Sequence, residues 1–337
     1  MNRGIFGSII DNETYTDSKK DWYVELSRAD IYWYDLVVNP PAELDTRKII
    51  VDQLKSLKKS VEESLEKRFI YFICSRVKVR FDILKKHKYG LLDGKFYFHL
   101  LVGREKKRMA VNTVFRDAKT GSVIRPKIEI SEKFISITDK YGNSITMTVH
   151  DFLMASNIDV GYPTLVQYVG YTKNPDIRPT NGVHGGLSEV IYKLSNEEND
   201  IFIIFNLFKV IVNAVNSSRM MNFIIPNSMT DEIKTDLEGQ ILEKCLIFYF
   251  DSSNQTKNKK KEKLELIGNL NKIATNNKIN SIQFHYEVDG DSEYWRLGSS
   301  NVEPNHRHLF SIEMINGKMN IKNGSQINAE TYGEQLL

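Results

Sequence analysis

The chain has 337 residues, 41% of them hydrophobic and 26% charged, with 46 Lys+Arg against 43 Asp+Glu and a formal net charge of +3. That much apolar material excludes wholesale disorder, and the length suggests two or three units at roughly 100–200 residues each. Two cysteines, Cys74 and Cys245, leave neither a disulfide framework nor a Cys-rich zinc site.

Charge is unevenly spread. Between Arg47 and Arg108 stand 18 Lys/Arg and 7 Asp/Glu, and a second basic run covers Lys257, Lys259, Lys260, Lys261 and Lys263. Two readings are open for these runs: solvated faces, or surfaces that contact the phosphates of a nucleic acid. No run reaches the ~18 uninterrupted apolar residues of a bilayer span, and Met1-Asn2-Arg3-Gly4 lacks the apolar core of a secretory signal. The expectation is a soluble, cytoplasmic protein with no membrane partner.

In chain order, Ile50, Leu54, Leu57, Val61 and Leu65 recur at three- and four-residue spacing and predict an amphipathic helix over 47–67. Strand patterns follow at 69–74, 77–81, 96–102 and 109–115, with Asp93-Gly94 and Thr120-Gly121 as turns. Residues 1–125 therefore read as a basic α+β unit suited to docking nucleic acid. Short strands at 134–138 and 144–149 precede a helix beginning near His150. A strand at 165–170 leads into a loop rich in Asn, Pro and Gly. A helix at 186–194, an apolar strand at 200–208 and a long helix at 230–250 close a second unit, 126–260. The remainder, 261–337, carries strand patterns at 281–288 and 309–314 and a hairpin signal at Asn316-Gly317.

The chemistry is concentrated in Tyr168-Val169-Gly170-Tyr171-Thr172-Lys173-Asn174, with Arg178 ten residues after Tyr168 and His184 six residues further on. A phenol at a strand end and a guanidinium at a helix start can converge on a phosphate, one carrying a proton and the other clamping charge. Downstream, Glu243 stands on an otherwise apolar helix, where one carboxylate can hold a single divalent cation through oxygen, waters completing its shell. Glu238 is the rival ligand on that helix.

These residues resemble the GIY-YIG nuclease superfamily. Tyr168-Val169-Gly170 stands for its second signature, Arg178 keeps its spacing, and 243–250 followed by Asn254 or Asn258 is similar to its catalytic-glutamate helix with a trailing asparagine. The resemblance spans about residues 134–258. It implies an α+β fold with a small mixed-sheet core, flanked by the basic N-terminal unit and a β-containing C-terminal extension. It also implies metal-dependent phosphodiester hydrolysis of nucleic acid, DNA in preference. Tyr168, Arg178, His184 and Glu243 would be catalytic, and Glu243 would bind Mg²⁺ or Mn²⁺. Lys173, Lys257, Lys259, Lys260 and Lys261 would contact the nucleic acid. The family's first signature places a tyrosine some ten residues before the second, where this chain reads Asn157-Ile158-Asp159. Tyr162, Tyr171 and His184 are the candidates for its place, with the first hairpin strand at 144–149.

The size of the flanking regions suggests target choice, as in restriction or defence against foreign DNA, acting as a homodimer or within a larger complex. The alternative is a degenerate core that binds nucleic acid without cutting, or a scaffold subunit. Glu303, His306 and His308 near His285 allow a zinc site, with a polar strand end as the other reading. Tyr32-Trp33-Tyr34 and Phe96-Tyr97-Phe98 read either as core or as platforms for unpaired bases.

Overall fold

A computed structural model describes residues 4–41, 45–64, 68–177, 194, 197–255, 259–288, 294–315 and 317–324. Its frame is a large mixed sheet. The strands that build it are β1 (Lys19–Trp33), β2 (Phe69–Val77), β10 (Thr164–Thr172), β11 (Asn199–Asn216), β12 (Met221–Pro226), β13 (Ile279–Glu287), β14 (Leu297–Gly298), β15 (Arg307–Ile315) and β16 (Lys318–Asn323). They lie in the order β14-β10-β2-β11-β1-β13-β15-β16, with β12 beside the second half of β11. Two pairings, β1 with β13 and β10 with β14, are parallel; the other pairings are antiparallel.

The middle strands read as continuous apolar runs because both of their faces are covered. Alternate residues of β2 and β11 sort cleanly. Phe69, Tyr71, Ile73, Ile201, Ile203 and Phe205 pack under helix α1 (Thr46–Ser64) through Leu54, Leu57 and Val61. Ile70, Phe72, Cys74, Phe202 and Ile204 join the opposite core, with Ile241, Leu242 and Cys245 of α3 (Thr235–Phe250) and Leu266, Leu270 and Ile273 of α4 (Lys259–Asn277).

Between β2 and β10 the chain builds two small sheets. One holds β3 (Val79–Phe81), β4 (Lys88–Tyr89), β5 (Phe96–Val102) and β6 (Lys107–Thr113); the other holds β7 (Lys127–Ile130), β8 (Phe134–Thr138) and β9 (Ser144–Thr148). Helix α2 (Val149–Ala155) follows, its N-terminus capped by the Thr148 side chain on the Asp151 amide.

The α+β expectation holds, but pairing crosses the expected boundaries. The ranges 1–125, 126–260 and 261–337 all contribute strands to the large sheet. The strand at 144–148 pairs with β8 rather than with β10; the neighbour of β10 is β2. Strand β1 escaped the sequence pattern because its polar positions are paired inside the fold. Lys20 is buried against Glu232 at 2.6 Å, and Glu232 also accepts from Tyr15 Oη at 2.7 Å. Of the hairpin signal at Asn316-Gly317, Asn316 lies outside the described residues, and Gly317 stands just before β16 at φ 72°. The helix expected over 186–194 falls outside the described residues apart from Leu194.

A buried polar knot joins the insertion to the sheet. Arg80, just beyond β2, makes two 2.9 Å bonds to Asp200 of β11. His150 of α2 lies between Asp200 (Nε2, 3.0 Å) and the Tyr294 hydroxyl (Nδ1, 2.8 Å). Burial holds His150 below its ordinary value against the pull of the carboxylate. It is therefore neutral at pH 7, its Nε2–H donating to Asp200 and its Nδ1 accepting from Tyr294.

Candidate active site

Tyr168 does not stand alone. On the neighbouring strand, Tyr71 lies directly opposite Gly170, and the Tyr71 and Tyr168 rings stack at 6.1 Å between centroids and 27° between planes. Two local features bring them together. Val166 and Tyr168 are two residues apart yet belong to opposite cores, because a bulge at Gln167 turns the strand over. Gly170 then leaves space: a Cβ there would stand 2.8 Å from Tyr71 Cε1 and nearer still to Cζ and Oη. The glycine of the Tyr-Val-Gly signature is thus the residue that admits the second tyrosine.

Three strands carry the candidate site, β10 with Tyr168, β2 with Tyr71 and β11, adjacent in that order and each antiparallel to its neighbour. Tyr71 is 97 residues before Tyr168, within Phe69-Ile70-Tyr71, and the whole insertion from β3 to α2 separates them. Of the tyrosines expected to accompany Tyr168, Tyr171 faces the other way and donates to Asp236 Oδ1 at 2.8 Å. Tyr162 packs against the core on the α3 side. Among the described residues, the tyrosine that stacks on Tyr168 is Tyr71.

Helix α3 runs along β10. A Cβ on Gly239 would meet the Tyr171 ring at 2.5 Å, and beyond the end of the helix Ser252 Oγ donates to Gln167 O at 2.9 Å. Glu243, half-buried, sits about one turn beyond Gly239, between those two contacts. The helix packs on the face of the sheet opposite Tyr168, so the helix that carries Glu243 and the Tyr168 phenol lie on two sides of the sheet. From Val166 onward no described strand pairs with the outer edge of β10. The chain after α3 fills that edge. Asn254 Nδ2 donates to Gln167 Oε1 at 2.5 Å, and the Gln255 side chain accepts from Val169 N at 2.9 Å and donates to Val169 O at 2.8 Å. A side-chain amide thereby replaces a strand partner.

At the far end of β10, Asp236 gathers Lys173 Nζ, Arg68 Nε and the Tyr171 hydroxyl, each at 2.8 Å. The Lys173 and Arg68 bonds, reinforced by Tyr171, hold the Asp236 carboxyl well below the usual range, and burial with the Asp236 bond pushes the Tyr171 phenol up. Lys173, expected at a phosphate, is engaged here. Lys259 pairs with Asp251, Lys261 reaches Glu265 at 3.8 Å, and Lys260 is exposed. Arg178, His184, Lys257 and Asn258 lie outside the described residues.

The rival sites resolve differently. Glu238 is buried and accepts from Asn227 Nδ2 at 2.6 Å, so it faces the core rather than solvent. His308 has both nitrogens engaged, Nδ1 with the Tyr249 hydroxyl at 2.9 Å and Nε2 with Leu297 O at 2.9 Å, which leaves no lone pair for zinc. Trp33, Tyr34, Phe96 and Phe98 are buried core. Among the described residues no group of three or more His, Cys, Asp or Glu gathers as a metal cage. A single carboxylate can give one oxygen ligand to a hard, largely hydrated cation.

No family model, curated protein or solved structure matches the chain.

Proposed function

We propose that the chain is a divalent-metal-dependent phosphodiester hydrolase of the GIY-YIG kind, acting on nucleic acid and on DNA in preference. The observation that carries this reading is the Tyr71–Tyr168 pair on adjacent antiparallel strands, with Gly170 making room for it. Tyr71 is the candidate for the one signature tyrosine missing from the place ten residues before Tyr168. The return of Asn254 to Gln167 supports it from the other side of the strand.

In this reading Tyr168 positions the attacking water, with Tyr71 orienting its phenol and His184 assisting. Arg178 stabilises the charge that builds on the phosphate in the transition state. Glu243 would hold the cation, which when bound supplies Lewis-acid stabilisation of the leaving oxygen. The rival reading, binding without cutting, draws on two observations: Tyr71 is 1% exposed, and α3 lies across the sheet from Tyr168.

The test is cleavage of plasmid and single-stranded DNA by the full chain with Mg²⁺, Mn²⁺ or EDTA. Wild type is compared with Glu243→Ala, Arg178→Ala and Tyr168→Phe at matched thermal stability. Metal-dependent cutting, reduced by a factor on the order of 10²–10³ in the Glu243 and Arg178 variants, is the expected result. Binding retained in every protein with no cutting by any would favour the non-cutting module.

A further inference from the structure

The insertion between β2 and β10 holds two leucines out in water on a stiff support. At the turn from β4 to β5, Leu91 is 91% and Leu92 101% exposed. The turn beneath them is tied at every level. Gly90 N donates to Lys95 O at 2.7 Å, and Arg125 Nη2 donates to Gly90 O at 2.8 Å and to Leu91 O at 3.2 Å. Asp93 accepts from Lys95 N at 3.1 Å and from the Tyr97 hydroxyl at 2.5 Å. Below, Tyr89 packs on Phe96 at 5.2 Å and bonds to Pro126 O at 2.8 Å. Scattered exposed apolar residues need no explanation, but two adjacent leucines on a braced turn, beside a half-exposed Val123, form a projecting apolar edge.

The charge around that edge says what it meets. Residues 78–125 carry 13 Lys/Arg against 4 Asp/Glu, a net +9 in a chain whose total is +3. Lys85, Lys86, Lys88 and Lys95 are exposed, and the first three make no ion pair among the described residues. An apolar tip flanked along the chain by exposed lysines matches a partner that is polyanionic outside and apolar within, as a stacked duplex is.

We propose that the Leu91–Leu92 tip is a wedge that enters the base stack of duplex DNA apart from the candidate active site, while Lys85, Lys86, Lys88 and Lys95 hold the phosphates. This rests on the nucleic-acid reading above and adds a second contact to it. The wedge partly unstacks one base step and bends the duplex, so the enzyme selects sites by how readily they deform.

The experiment uses the full chain and a duplex of about three turns carrying 2-aminopurine at successive positions. Wild type should raise the probe's fluorescence at one or two adjacent steps. The double variant Leu91→Ser/Leu92→Ser should lose that rise and bind about tenfold more weakly, with unchanged thermal stability because both side chains are already in water. The variant Lys86→Glu/Lys88→Glu should keep the rise at saturation but lower the salt dependence of binding by about two ions. Duplex binding and fluorescence unchanged in the serine variant overturn the wedge. So does loss of binding to vesicles of anionic phospholipid in that variant with duplex binding intact. If the serine variant cuts as wild type does while Glu243→Ala does not cut, the wedge fails and the nuclease reading stands. If wild type neither binds nor cuts DNA, both fall.

Discussion

Replacing Gly170 by alanine adds one methyl group, and its position decides the result. Gly170 is not held in the left-handed region, so the backbone tolerates the change; the obstacle is the Tyr71 ring, with Cε1 at 2.8 Å and Cζ and Oη nearer. Tyr71 is 1% exposed between Phe205 and the residues under α1, so its ring has no open space to swing into. Overpacking of this kind costs about 1–3 kcal/mol. The decisive assay is a double-mutant cycle by urea denaturation, using Gly170→Ala, Tyr71→Leu and the pair. Tyr71→Leu alone loses aromatic packing, by about 2–4 kcal/mol. In its presence the alanine methyl meets a shorter side chain, so the Gly170→Ala penalty should shrink by at least about 1 kcal/mol. Additive penalties would refute the claim that this glycine exists to admit this tyrosine.

Other consequences are equally direct. Gln255→Ala removes both bonds to the Val169 backbone and should cost about 1–2 kcal/mol, with faster hydrogen exchange at the Val169 amide and little change at Phe72 on the paired side. Asp200→Ala leaves His150 buried without its carboxylate and removes both Arg80 bonds to it, and should destabilise by about 3–5 kcal/mol in thermal or urea unfolding. Burial holds His308 down at about 4, against bonds to Leu297 and Asn305 that favour its charge. The unfolded chain, near 6.5, then takes up a proton that the folded protein refuses. Stability is complete above pH 6.5 and falls between about pH 6.5 and 4 by about 3 kcal/mol from this residue. The His308 imidazole resonance should stay at its neutral position down to pH 5.

The sequence pattern revealed what is local. The α1 helix, the 69–74 strand, the 200–208 strand and the apolar part of α3 all stand where their periodicity puts them. What it hid is non-local. Tyr71 was visible inside a strand, but nothing in 97 residues of intervening chain says that this strand lies between β10 and β11. The Phe69-Ile70-Tyr71 triplet is the local signal of this tyrosine, but it stands 97 residues before Tyr168 rather than ten. The bulge at Gln167, which sends Tyr168 to Tyr71's face, leaves no periodic trace either, and Gln255 acts as a strand partner through its side chain alone. Strand β1 was obscured because Lys20 breaks its alternation and finds Glu232 more than 200 residues away.

The most direct test of the account is metal-dependent DNA cleavage by Tyr71→Phe, Tyr168→Phe and their combination beside wild type, with all four proteins matched for folding. If the two phenols form one active unit, each single change should reduce cleavage by a factor of about 10² and the double change should fall little further. Wild-type cleavage by Tyr71→Phe, or no cleavage by wild type itself with either cation, would contradict it.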